Sequence, residues 1–284
     1  MERTILDNSI GIVAVLMTVH NRRKTTVECL YRLYKNQLNN FDFCVYLVDD
    51  GSTDGTADAV KQSFPDVRII AGNGELYWNR GMLLAWKEAA KDSPDFYLWL
   101  NDDTFLYADA LSTMLRGYKE CETDMAIICG STHAVGNVNI VTYGGRYHKR
   151  LLIPNGKLQI AEWVNGNCLL VPRKVVEQIG MLDSYFRHAK GDWEYGIRAK
   201  KKGVSLFVAS KYVGECDSHP HKTLPCYDPS IPLNERLKYL SHPLAPIPSE
   251  TFYYCRKCLS FGSIRAIVYI FRTYCKTLFP YIFK

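Results

Sequence analysis

Residues 46–55 read Tyr46-Leu-Val-Asp-Asp-Gly-Ser-Thr-Asp-Gly55, an apolar run that stops in acids, glycines and hydroxyl residues. The run closes a strand predicted over Phe43 to Val48. Thr53 to Phe64 then follows a helical pattern, with Asp54 near its start, where a negative charge is favoured. The same alternation repeats on both sides. Upstream, Ile12 to Thr18 reads as a buried strand and Thr25 to Leu38 as a helix with apolar positions at Val27, Leu30, Tyr31, Tyr34 and Leu38. Downstream come a strand over Val67 to Ile70, a helix over Gly81 to Ala90 and a strand over Phe96 to Leu100. Strands and helices joined by short links predict an α/β fold, a mostly parallel sheet flanked by helices.

Ligands of such sheets bind beyond the carboxyl ends of the strands. Those ends read Thr18-Val-His-Asn-Arg22, Asp49-Asp-Gly-Ser-Thr-Asp-Gly55, Ala71-Gly-Asn-Gly-Glu75 and Asn101-Asp-Asp-Thr104. Acids at two strand ends repel unless something positive lies between them. A divalent cation shared with phosphate oxygens satisfies that requirement with one or two carboxylates. A P-loop is absent, and no glycine follows the first strand, so nicotinamide and P-loop chemistries are disfavoured. After Ala126 the pattern is less regular. Val138 to Tyr143 and Arg146 to Ile153 predict a hairpin around Gly144-Gly145, Asn167 to Val171 a strand, and Arg173 to Gly180 a short helix closed by glycine. Residues 214–250 read as loop.

The chain has 284 residues, of which 47% are hydrophobic and 23% charged, which excludes disorder, collagen and coiled coil as the main state. The length predicts one or two domains. The net charge of +6 is uneven: residues 196–284 hold 14 basic and 5 acidic residues, the first 195 hold 21 and 24. The acidic chemistry therefore lies N-terminal, and the basic part is suited to an anionic partner. No nucleic-acid motif accompanies it. Ten cysteines spread through apolar segments are read as reduced thiols of a cytoplasmic protein. The apolar run Ile10 to Val19 is too short to span a bilayer, and Cys255-Arg-Lys-Cys258 alone is a weak metal signal.

The segments Val13-Ala-Val-Leu-Met-Thr-Val-His-Asn-Arg22, Tyr46 to Gly55, Leu98-Trp-Leu-Asn-Asp-Asp103 and Gly191-Asp-Trp-Glu-Tyr-Gly-Ile-Arg198 resemble family 2 glycosyltransferases, over Gly11 to Val208. The likeness is greatest to bacterial rhamnosyltransferase-like enzymes of surface polysaccharide assembly. It implies a Rossmann-like GT-A fold and an inverting, metal-dependent transfer of a sugar from a nucleotide-sugar to a glycan or lipid-linked acceptor. On that likeness Thr18, His20 and Asn21 lie under the nucleoside, and Asp50 accepts the N3–H of a uracil or thymine, favouring UDP- or dTDP-sugars. Asn101, Asp102 and Asp103 fall on the family's DXD motif, with Asn101 in place of the first acid and Asp103 as ligand of Mn²⁺ or Mg²⁺. Asn73 and Arg80 face the donor; Arg80 is read either as a diphosphate partner or as a helix cap. Asp192 matches the general base of the ED motif, with Gly191 where the family has an acid. Trp163, Trp193 and Glu194 are candidate acceptor contacts, and His219 or His221 a further metal ligand. Expected domains are 1–213, with donor half 1–105 and acceptor half 106–213, and an extension over 214–284.

Gly262 to Lys284 predicts an amphipathic helix, with Ile264, Ile267, Val268, Phe271, Cys275 and Leu278 on one arc and Arg265, Arg272 and Lys276 beside it. Such a helix suits an anionic membrane surface or packing on the domain, and places the protein at the cytoplasmic face of the membrane. Two other readings stay open. A nucleotidyltransferase would need a glycine-rich loop after the first strand. A non-catalytic sugar- or lipid-binding protein would explain Asn101 and Gly191.

Overall fold

A computed structural model describes residues 11–36, 38, 40–218 and 223–282. The first half alternates as expected: β1 (Gly11–Val19), α1 (Arg23–Leu33), β2 (Phe41–Asp49), α2 (Thr56–Ser63), β3 (Arg68–Ala71), α3 (Tyr77–Ala90) and β4 (Phe96–Leu100). Then come β5 (Phe105–Leu106), α4 (Ala110–Glu120), β6 (Ala126–Ala134), β7 (Asn137–Tyr143), β8 (Arg146–Tyr147), β9 (Arg150–Leu151), β10 (Gln159–Ile160), β11 (Cys168–Pro172), α5 (Arg173–Ile179), α6 (Gly191–Lys201) and β12 (Ser205–Glu215). The chain ends in α7 (Leu233–Tyr239), α8 (Pro248–Cys258) and α9 (Gly262–Leu278).

One sheet runs β10-β12-β6-β11-β4-β1-β2-β3, with β5 on β12 and β7 on β6. Val15 of β1 pairs in parallel with Val45 of β2 and Leu98 of β4. β11 enters antiparallel between β4 and β6, so Leu169 faces Trp99 on one side and Cys129 on the other. The two-residue period of a strand splits the core. Val13, Val15 and Met17 join the face covered by α1, α2 and α4, whereas Ala14 and Leu16 join the face covered by α3, α5 and α6. Burial on both faces explains why these strands are continuously apolar. A third cluster sets Tyr254, Cys255 and Cys258 of α8 and Ala266 of α9 on Phe186, in the loop before α6.

The predicted hairpin around Gly144-Gly145 does not form. β7 pairs instead with β6, and β8 pairs with β9 around His148 and Lys149, both left-handed at φ 45° and 66°. The glycines mark close approach: a Cβ at Gly144 would lie 2.4 Å from Ser131 Oγ, and one at Gly145 2.4 Å from Val208 Cγ2. The stretch 214–250 is not all loop, since it holds α7 and the start of α8. The boundary drawn at residue 213 falls inside β12.

Candidate active site

A cavity of about 660 Å³ opens at the carboxyl ends of β1, β2 and β4. Thr18, His20, Asp50, Asn101, Asp102, Asp103, Asp192 and Trp193 line it. Residues from two distant parts of the chain therefore share one cavity, because β11 and α6 bring Asp192 to the edge where the strand-end acids lie.

The acids hold the site together before they meet any ligand. Asp50 is buried, and its carboxylate accepts the N–H groups of Gly74 (2.8 Å), Leu76 (2.9 Å) and Tyr77 (2.9 Å). A carboxylate offers about four acceptor positions, so one remains. His20 donates from Nδ1 to the Asp50 carbonyl at 2.7 Å, which leaves Nε2 to accept from Asn21 Nδ2 at 3.0 Å. Asn21 is left-handed at φ 51° and braces the acidic turn: its N–H donates to Ser52 Oγ and its Oδ1 accepts the Thr53 N–H. Thr18 lies against α3 where Gly81 has no side chain; a Cβ there would sit 2.1 Å from Thr18 Oγ1.

A cation does lie between the paired acids. Arg22 reaches Asp102 at 3.3 Å through Nε and Asp103 at 3.0 Å through Nη2. Burial opposes its charge, but the two carboxylates outweigh burial and raise its pKa. Burial pushes the Asp102 carboxyl up to about 6; Arg22 pulls the other way and the Asp103 charge adds to the rise. Asp102 also takes the Thr26 hydroxyl, so it faces the protein as well as the cavity. Asn101 accepts the Trp78 indole N–H at 2.8 Å. Trp78 packs edge-on against buried Trp99 and closes over Gly166, where a Cβ would lie 2.4 Å from its ring.

Asp192 stands in the first turn of α6. Its Oδ2 accepts the Gly166 N–H at 3.1 Å and its Oδ1 the Trp193 N–H at 2.9 Å. Burial raises its pKa to about 6, against the lowering effect of these hydrogen bonds. Half-exposed Trp193 meets Trp163 edge-on at 6.3 Å, so Trp163 stands behind the rim rather than on the wall.

Besides Asn21 and Trp163, three predicted contacts lie off the cavity wall. Glu194 is fully buried away from the cavity: it is held by Arg198 at 2.8 Å and Lys257 at 3.0 Å. Two residues along α6 turn the side-chain direction by about 200°, so Glu194 points away from Asp192, toward a partner that the sequence spacing does not reveal without the position of α8. Arg80 donates to the Ser184 carbonyl at 3.1 Å and takes no part in the cavity wall. Asn73 is exposed and accepts the Glu75 N–H, shaping its own turn. His219 and His221 lie outside the described residues.

The sequence reading omitted Arg22, Tyr77, Trp78, His188 and Lys190, which all line the cavity, as do Leu244 to Pro246 from beyond residue 213. Tyr77 and Lys190 are left-handed at φ 54° and 70°, a conformation that carries no sequence signal in a non-glycine residue. Burial lowers the pKa of both His188 and Lys190.

A divalent cation fits the donor set in one way. Among the described residues no three His, Cys, Asp or Glu side chains converge on a point. Asp103, on the cavity wall with Arg22 on Oδ2 and the Cys216 thiol on Oδ1, is the carboxylate that could serve a hard cation of the kind that completes its shell with phosphate oxygens and water.

Residues 14–180 match the sequence profile of Glycosyl transferase family 2. The chain belongs to that family, and is a glycosyltransferase of GT-A fold. It is 26% identical over 209 residues to the N-acetylglucosaminyl-diphospho-decaprenol L-rhamnosyltransferase of Mycobacterium tuberculosis (strain ATCC 25618 / H37Rv), covering 62% of this chain and 67% of that one. S. aureus TarS 1-349 in complex with UDP-GlcNAc shares the fold with a TM-score of 0.59 at 13% identity, over 95% of this chain and 72% of that one. The mannosyltransferase PcManGT from Pyrobaculum calidifontis, in complex with GDP-Man and Mn²⁺, gives 0.54 at 14% identity, over 93% and 75%.

Proposed function

We propose that this glycosyltransferase moves a sugar from a UDP- or dTDP-sugar to a hydroxyl of a lipid-linked glycan, with inversion at the anomeric carbon. The observation that carries the reading is the shared cavity: strand-end acids on one wall and Asp192, with its carboxyl raised to about 6, on another. The remaining acceptor position of Asp50 takes the N3–H of a uracil or thymine. Arg22 draws the diphosphate toward β4. Asp192 accepts the proton of the acceptor hydroxyl as that oxygen attacks C1 and the C1–O bond to the diphosphate breaks. Asp103 would hold Mn²⁺ or Mg²⁺, which would supply charge stabilisation for the departing diphosphate. Trp193, backed by Trp163, stacks on an acceptor sugar. The acceptor class follows from the lipid-linked substrate in the mycobacterial relative's name.

Incubation with UDP- and dTDP-sugars tests this. Nucleoside diphosphate is expected only with the divalent cation, and release is expected to fall by about 10²-fold or more in Asp103→Ala. Proton coupling at the new glycosidic carbon should report inversion; a product with the donor's configuration would contradict the mechanism.

The acceptor's lipid is expected to be met at a membrane surface. No described helix is long and apolar enough to cross a membrane. Yet Ile264, Ile267 and Phe271 of α9 are 63, 62 and 67% exposed, and Arg265 and Arg272 are exposed beside them. No acid follows Glu250 in the sequence. An apolar face edged by cations and free of acids is the composition that binds an anionic bilayer. Sedimentation with phosphatidylglycerol vesicles should retain the protein, phosphatidylcholine vesicles should not, and Ile267→Asp with Phe271→Asp should weaken retention about tenfold. Equal sedimentation of both proteins would remove the membrane role of α9.

A further inference from the structure

The base-bearing helix begins at a glycine whose missing side chain is replaced by one from another helix. A Cβ at Gly191 would lie 1.7 Å from Asn79 Oδ1 and 2.7 Å from Asn79 Cγ. Asn79 belongs to α3 and is fully buried behind the cavity wall. Its Nδ2 donates to the carbonyls of Asp183 and Phe186, both at 2.8 Å, and its N–H donates to the Arg187 carbonyl at 3.1 Å. These three bonds tie the segment leading into α6 to the helix that lies under the donor wall. Asn79 Oδ1 has no hydrogen-bond partner among the described residues.

We infer that Asn79 is a positioning residue for Asp192: its carboxamide occupies the space of a side chain at 191 and fixes where α6 starts. The inference rests on Asp192 as the base. The chemistry of the replacement matters as well as its shape. A carboxylate on residue 191 would adjoin Asp192 and oppose its ionisation, whereas a carboxamide oxygen brings no net charge. Glycine at 191 and asparagine at 79 therefore form one device. Neither alone keeps the Asp192 carboxylate on the Gly166 N–H.

A double-mutant cycle with Gly191→Ala and Asn79→Ala, read in kcat, donor KM and pH profile, tests this. Gly191→Ala is expected to lose roughly 10- to 100-fold in kcat, with donor KM within about threefold of the parent and a displaced acid limb of kcat/KM. Removing the Asn79 carboxamide makes room for the methyl group, so the double variant should recover at least about fivefold over Gly191→Ala. A double variant no better than the product of the two single losses would overturn the proposal. If Gly191→Ala does not fold, Asn79→Ala, which only deletes atoms, decides: a displaced acid limb at unchanged donor KM supports the positioning role, and an undisplaced limb overturns it. Asp192→Asn separates the two levels. Parental kcat in Asp192→Asn means the base assignment has failed; an inactive Asp192→Asn beside a parental Gly191→Ala means only the Asn79 inference has failed.

Discussion

Asp192→Asn is expected to transfer sugar about 10²–10⁴-fold more slowly than the parent near neutral pH, while binding donor nucleotide as before. Asparagine keeps the shape and can still accept the Gly166 N–H, so the variant removes the proton acceptor and little else. The parent's kcat/KM should rise with pH through about 6, because the base works only when ionised and burial holds its pKa there. The variant should show no such limb. The sign for stability is opposite. With its folded pKa raised, Asp192 keeps its proton longer in the folded than in the unfolded chain, so this group lowers stability as pH climbs from the ordinary carboxyl range to about 6. A protein that gains activity and loses a little stability over one pH window would carry both signatures of a buried base. A variant with an undiminished rate would exclude Asp192 from the chemistry.

Glu194→Ala is expected to destabilise the fold by about 3–5 kcal/mol without changing the acceptor KM. The Glu194 side chain is 1% exposed and holds Arg198 and Lys257 together. Removing it leaves the Arg198 guanidinium in a largely buried position with the carbonyls of Ile179 and Met181 and the face of Tyr195 but no counter-charge in contact among the described residues. Lys257 keeps Asp183, so the loss centres on Arg198. For a chain of this size the change is a fall in Tm of roughly 6–15 °C. Thermal melting checks the size of the effect, and acceptor titration well below the melt checks its nature. A raised acceptor KM with an unchanged Tm would return Glu194 to the binding surface.

These two acids, two residues apart in the sequence, show what the chain discloses and what it conceals. The strands and helices up to Leu100 are legible because β1, β2 and β4 bury apolar residues on both faces and the helices carry apolar stripes, so the local period matches the burial. The strand-end acids are legible for the same reason: topology alone assigns them to the binding edge. Glu194 is not, because its direction becomes meaningful only once α8 brings Lys257 beside it. Arg22 lies in a strand-end segment, yet its role follows from two side-chain distances across the cavity mouth. Trp78 and Tyr77 contribute through a left-handed residue and a long-range indole bond to Asn101, neither of which leaves a local pattern. The C-terminal segment reads as an appendage by composition, but Glu250 and Lys257 of α8 bind Arg187 and Asp183 of the loop that leads into α6 and Asp192.

If the strand-end acids form a nucleoside diphosphate site, the melt of the folded protein should respond to UDP, dTDP, GDP or CMP, each added with and without Mn²⁺. A ligand at 100 times its Kd stabilises by ~2.7 kcal/mol, or roughly 5–8 °C here. A rise of that size with UDP or dTDP, dependent on Mn²⁺ and lost in Asp103→Ala, is the predicted result. A melt that no nucleotide moves would contradict the account.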